Sequence, residues 1–194
     1  GSEMCIRDSP GPAAGIERKE LRGWLKMKFC YTPPLLKFLK IELPSVEEET
    51  APFFCWDLHI LTVQGRKTAL AMNRNSRYSI LLYGMKETDW KVLPELIEQE
   101  IKAVILREGL SEFEAARYFA LGGPLRILPS HGQTSTASLN WAMGALLQRA
   151  SLLDSRRLSQ PRISQVMNDE VYYSAKFSKE GTPREFFLEG FRCL

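Results

Sequence analysis

Histidine and cysteine are scarce in this chain, and no apolar run in it is long. Of 194 residues, two are His and four are Cys, with no CxxC pair among them. His59 and His131 have no zinc-ligand spacing, so no metal is expected, and no cofactor motif is present either. No apolar stretch approaches the roughly 18–20 residues a membrane helix needs. Met27 onward lacks a signal-peptide pattern, which points to a cytoplasmic protein with no membrane partner. The net charge of +3 is too small to argue for nucleic acid by itself. Internal repeats are absent. With 44% hydrophobic and 25% charged residues, the composition excludes collagen-like, wholly disordered and cysteine-scaffold classes. The length suits one domain, or one domain with a tail.

The first 26 residues differ in texture from the rest. Ser9 to Gly15 reads SPGPAAG, which favours neither helix nor strand. Residues 1–9, GSEMCIRDS, resemble the translation of a sequencing-adaptor join found at the ends of metagenomic gene models. Residues 1–26 are therefore read as a non-native or disordered leader. Arg22-Gly23 can be encoded by a purine run at a ribosome-binding distance from Met27, which makes Met27 the expected start. A nucleotide sequence without a purine-rich site upstream of codon 27 would overturn this. Residues 1–26 carry five of the basic and four of the acidic residues, so the remainder has a net charge of +2. Its cysteines, Cys30, Cys55 and Cys193, read as buried reduced thiols.

From Met27 a single α+β domain is expected, extending to residue 154. Met27–Tyr31 is a short strand, and Pro33-Pro34 opens a brief helix to Lys40. Glu47–Glu49 reads as a solvated loop. Phe54–Val63, Arg66–Met72 and Arg77–Tyr83 are three strands rich in branched and aromatic residues. The Gln64-Gly65 turn pairs Val63 with Arg66, and hence His59 with Leu70. One face then sets Phe54, Trp56, Leu58 and Ile60 against Ala69 and Ala71, as suits a sheet with helices packed on it. The other face mixes Asp57, His59, Leu61, Leu70 and Met72.

Three helices follow, over Pro94–Glu108, from a Ser111/Glu114 capping box to Leu121, and from about Ser135 to Ala150. Pro124–Pro129 could add a strand. The expected fold is a small antiparallel sheet, a three-stranded meander plus short strands, with helices on one face. Residues 155–194 lose periodicity and read as an irregular extension. They hold seven basic and five acidic residues, so the remainder's net positive charge lies there.

MKFCYTPPLLKFLK (27–40), FCWDLHILTVQGRKTALAMNRNSRYSILLYGMK (54–86) and TASLNWAM (136–143) together resemble an uncharacterised bacterial domain-of-unknown-function family, DUF family 6933. The resemblance covers about residues 27–153. It implies a bacterial source and supports Met27 as the start, but it implies no activity.

Asp57 and His59 share a strand face and are the catalytic candidates, a carboxylate beside an imidazole being raw material for acid–base chemistry. At i and i+2 they stand about 6–7 Å apart, too far for a direct orienting bond. Arg66, Lys67, Arg74, Arg77 and Lys86 punctuate the hairpin. With Asn73, Asn75, Tyr78 and Tyr83 they suggest a surface for phosphate or single-stranded nucleic acid. Arg66 and Lys67 point opposite ways, far from Arg74, so these cations do not form one patch. Ligand-binding candidates are thus Arg74, Arg77, Asn73, Tyr83 and Asn140, the last read first as a buried polar tie. The loop around His131 leads into a helix N-terminus and lacks a P-loop arrangement. The leading expectation is a non-catalytic binding or interaction domain working through the open sheet face, with a protein partner the natural case. A nucleic-acid-associated protein comes second, and an enzyme acting on a small or phosphorylated substrate third.

Overall fold

The computed structural model describes residues 26–44, 50–130, 133–171 and 180–194. Residues 1–25 of the expected leader, the Glu47–Glu49 loop and His131 lie outside the described residues. Five strands form one sheet in the order β4-β3-β2-β1-β5. They are β1 (Lys28–Tyr31), β2 (Cys55–Val63), β3 (Arg66–Asn73), β4 (Ser79–Tyr83) and β5 (Arg126–Pro129). The helices are α1 (Pro33–Leu39), α2 (Glu87–Lys91), α3 (Leu93–Arg107), α4 (Glu112–Gly122), α5 (Gln133–Gln148), α6 (Pro161–Asn168) and α7 (Pro183–Arg192).

The β2–β3–β4 meander is antiparallel, with Val63 on Arg66 and His59 on Leu70 as the sequence predicts. Gln64 and Gly65 both have positive φ, at 48° and 76°. Such a two-residue turn twists with its strands. The sheet as a whole is mixed, however, and not antiparallel throughout. β1 runs parallel to both β2 and β5. The reason lies in the connections: a helical crossover returns the chain parallel, where a tight hairpin would reverse it.

Core on the first face follows the expected alternation. Phe29, Tyr31, Trp56, Leu58, Ile60, Ala69, Ala71, Ile80 and Leu82 are all buried there. Onto them pack Leu35 of α1, the Leu93/Ile97/Ile101/Val104/Ile105 stripe of α3, and Ala115 and Tyr118 of α4. The Trp56 indole donates to the Tyr118 hydroxyl at 3.0 Å, which in turn donates to the Phe53 carbonyl at 2.9 Å. A buried indole and phenol are thereby satisfied in sequence. The expected Ser111/Glu114 capping box starts α4.

The opposite face was expected to be open, with helices on one side only. Instead α5 and α6 cover it over β3 and β4. Val63, Leu70, Met72, Leu81 and Tyr83 pack there with Leu139, Ala142, Ala145, Leu146, Ile163 and Met167. Ala69–Met72 and Ile80–Tyr83 are uninterrupted apolar runs, the pattern of strands buried on both faces.

Residues 155–194 also depart from the expected irregular extension, since their described part carries two helices docked on the body. In α6, Ile163 and Met167 recur at i and i+4, a two-residue stripe too short to stand out in a periodicity scan. The Asn168 side chain accepts from the Ser79 amide at 2.7 Å and donates to its carbonyl at 2.8 Å, acting as a strand partner at the β4 edge. Farther along that edge, Leu82 bridges to Ser159, and the Tyr83 amide donates to the Leu158 carbonyl at 2.8 Å. A Thr182/Glu185 capping box opens α7, and Phe187 joins the first-face core. The Arg184 guanidinium meets Glu108, which also accepts from the Tyr78 hydroxyl at 2.6 Å.

Gly190 in α7 lies against Phe53: a methyl group there would stand 2.7 Å from two further ring atoms beyond its nearest contact. Gly→Ala in a helix ordinarily stabilises by up to about 1 kcal/mol. Gly190→Ala is expected instead to destabilise, by about 1–3 kcal/mol through overpacking. Urea denaturation of the variant checks the sign.

Candidate functional site

β1 and β5 are adjacent and parallel, and their carboxyl ends feed helices on opposite faces. β1 leads into α1, whose Leu35 lies in the first-face core. β5 leads into α5, whose Leu139 and Leu146 lie in the second. Neighbouring parallel strands whose connections diverge in this way leave a crevice beyond their carboxyl ends. In open sheets, that crevice is where ligands bind.

Polar side chains gather at it. Asp57 is wholly buried on β2, directly opposite Cys30 of β1. Its carboxylate accepts from Arg74 Nε at 3.0 Å and Nη2 at 2.7 Å, a bidentate pair, and from Ser130 Oγ at 2.9 Å. The Arg74 side chain remains 26% exposed. Burial alone would favour its neutral form, but the hydrogen bonds and charge of Asp57 outweigh that and hold it ionised. Two residues along β2, His59 is half-buried, and its Nδ1 pairs with Thr32 Oγ1 at 2.9 Å. Thr32 and Ser130 each stand one residue past a carboxyl end, on β1 and β5 respectively.

The structure brings Asp57 and Arg74 together and gives Asp57 and His59 different partners. The expected acid–base couple is therefore not assembled by a mutual hydrogen bond. Cys30 and Cys55 are free and buried, as expected of strand cysteines, whereas Cys193, expected to be a buried reduced thiol as well, is half-buried and disulfide-bonded. Desolvation pushes the Cys30 thiol up to about 11 and the Cys55 thiol up to about 12. At neutral pH both are thiols, which are poor nucleophiles.

The remaining candidates separate. Asn73 is buried, donates to the Phe53 carbonyl at 2.9 Å, and accepts from the Asn75 and Ser76 amides, each at 3.0 Å. It builds the β3–β4 turn, as Asn side chains that mimic backbone do. Arg77 sits in that turn with φ 65°, is buried, and donates to the Arg74 carbonyl at 2.6 Å. Tyr83 is buried and donates to Gln64 Oε1 at 3.1 Å, with the Arg66 guanidinium 5.7 Å from its ring centre. Asn140 is exposed on α5, which corrects its reading as a buried tie. Lys67 lies over the Phe38 ring and Lys86 is an exposed helix start, so the hairpin cations are dispersed. Thr32 and Ser130 were not singled out as site residues. Their signal was positional: a hydroxyl immediately after each of two strands that prove parallel.

Burial lowers the His59 pKa from its ordinary 6.5. The unfolded chain then takes up this proton more readily than the folded one, so stability falls as pH drops below 6.5 toward the folded value. His59→Gln is expected to remove that part of the slope. Urea midpoints at about pH 7.5 and about pH 5, compared between the two proteins, measure it.

Fold and site together define an α+β protein with helices on both faces of a mixed five-stranded sheet and a cluster of polar side chains near the ends of two parallel strands. Within that class the chain belongs to the DUF6933 family of domains of unknown function, whose model matches residues 28–186. The match runs through α6 and into α7. No curated protein and no solved structure matches the chain. Among the described residues, no helix is long and apolar enough to cross a membrane, and no group of three His, Cys, Asp or Glu is placed to hold a metal ion.

Proposed function

We propose that the protein is a non-catalytic binding domain whose working surface is the crevice beyond β1 and β5. The observation that carries this is the fixed state of the groups lining it. Asp57 is held by Arg74 and Ser130, His59 is oriented by Thr32, and the two thiols are protonated. Side chains locked by one another suit recognition, because little rearrangement is needed when a ligand arrives. A general base, by contrast, must be able to take up a proton from its substrate. The nucleic-acid alternative loses support because the hairpin cations form no common patch: Arg77 is buried in the turn, Arg66 lies by Tyr83 and Lys67 over Phe38.

Amide NMR of the full chain, screened against neutral, cationic and anionic fragments, tests the proposal. Shifts should cluster at Thr32, Asp57, His59 and Ser130, with the fragments recovered unchanged. Shifts confined to other surfaces, or chemical conversion of a fragment, would overturn it.

A further inference from the structure

We infer that the solvent face of α5 seats a second copy of this chain, the two α5 helices crossing at Gly144. The helix reads QTSTASLNWAMGALLQ, 16 residues without one charge, in a chain of which 25% is charged. Its inner stripe, Leu139, Ala142, Ala145 and Leu146, packs against the sheet. The opposite stripe is Ala137, Asn140, Gly144, Leu147 and Gln148, spaced as one helix face. Ala137, Asn140, Leu147 and Gln148 are exposed, Leu147 to 56%. A surface helix ordinarily turns charged residues outward. This one turns outward a large aliphatic side chain, two carboxamides and no charge.

The occupant follows from charge and symmetry. A two-fold contact sets one patch against itself, so a net charge on it meets its like. A face of lysines or glutamates repels its own copy and draws a partner of opposite charge; α5 does neither. Carboxamides suit self-pairing, because each is donor and acceptor at once. Gly144, at the centre of the stripe, supplies the shape. A Cβ there would meet nothing within 4 Å, so packing within one copy does not call for glycine. Glycine also weakens a helix interior relative to other residues. What it permits is the close approach of a second helix at that point. A face one helix wide and about three turns long buries less than the roughly 1,200 Å² of stable complexes, so the dimer forms only at high concentration. None of the crevice residues lies on this stripe, and the inference stands apart from the binding reading.

The experiment is sedimentation velocity of the full chain over about 5–500 µM. The sedimentation coefficient should rise with concentration from the monomer value toward that of a dimer. Gly144→Lys should abolish the rise, because two like charges meet at the crossing. Lysine is a better helix former than glycine and the site is open, so the variant should unfold at no lower temperature than the parent. That separates a lost interface from a lost fold. Under mild oxidation Gly144→Cys should give a covalent dimer, while Phe113→Cys, exposed on α4, should give none. A monomer at every concentration would overturn the inference. So would a dimer indifferent to Gly144→Lys, or one that cross-links no better through Gly144→Cys than through Phe113→Cys.

Discussion

Asp57→Ala is expected to destabilise the protein by about 3 kcal/mol, far more than an exposed ion pair would cost to remove. Breaking a buried pair from one side strands the other charge, which typically costs about 3–5 kcal/mol. The lower end applies because Arg74 keeps an edge toward solvent and can turn outward. Ser130 also loses its acceptor. The double variant Asp57→Leu/Arg74→Met should recover much of the loss, since two apolar side chains leave no charge behind. Chemical denaturation of Asp57→Leu, Arg74→Met and the double gives the coupling directly. Because Asp57 is wholly buried, added salt should change the result little.

Phe187→Ala should cost about 3–5 kcal/mol, the usual range for emptying a buried phenylalanine site. Phe187 is fully buried and packs its ring against those of Phe53, Trp56, Tyr78 and Phe191, with centroids 4.6–6.1 Å apart. Collapse around the cavity would be limited, because Tyr78 is also held through Glu108 and Trp56 through Tyr118. Tryptophan fluorescence should report the change alongside the denaturation midpoint. A loss under 1 kcal/mol would mean that α7 is a loosely attached segment, against the packing described here.

Both effects concern residues whose types were plain in the sequence and whose partnerships were not. The β2–β3 register was legible to the residue, because a two-residue turn fixes it and alternation fixes the faces; β4, expected from Arg77, begins only at Ser79, since Arg77 is held in the turn with positive φ. The α3 stripe and the Ser111 cap were equally local. The Asp57–Arg74 pair was within reach of the same register. If Val63 meets Arg66, Arg74 falls opposite Cys55, on the face of Asp57 and diagonal to it. The parallel pairing of β1 with β5 was not legible, since it joins segments separated by four helices and three strands and leaves no local mark. The docking of α6 and α7 was hidden for another reason. Short helices carry too few turns for a period to emerge, although the Thr182/Glu185 cap was there to be read.

The interior position of β1, between β2 and β5, has a consequence for how the chain reaches this fold. β2, β3 and β4 follow one another and can pair as soon as they are made, with little loop entropy to overcome. Among the described strands β1 is synthesised before the others, but its second neighbour, β5, comes only after α4. Phe53 and Trp56 are covered later still, by the last helix of the chain. During synthesis an early apolar strand and an aromatic cluster therefore wait for partners near the far end. Chains with such distant closing contacts fold slowly and expose sticky surface meanwhile. A ribosome-bound nascent chain halted before residue 183 should accordingly bind chaperones that the completed protein ignores.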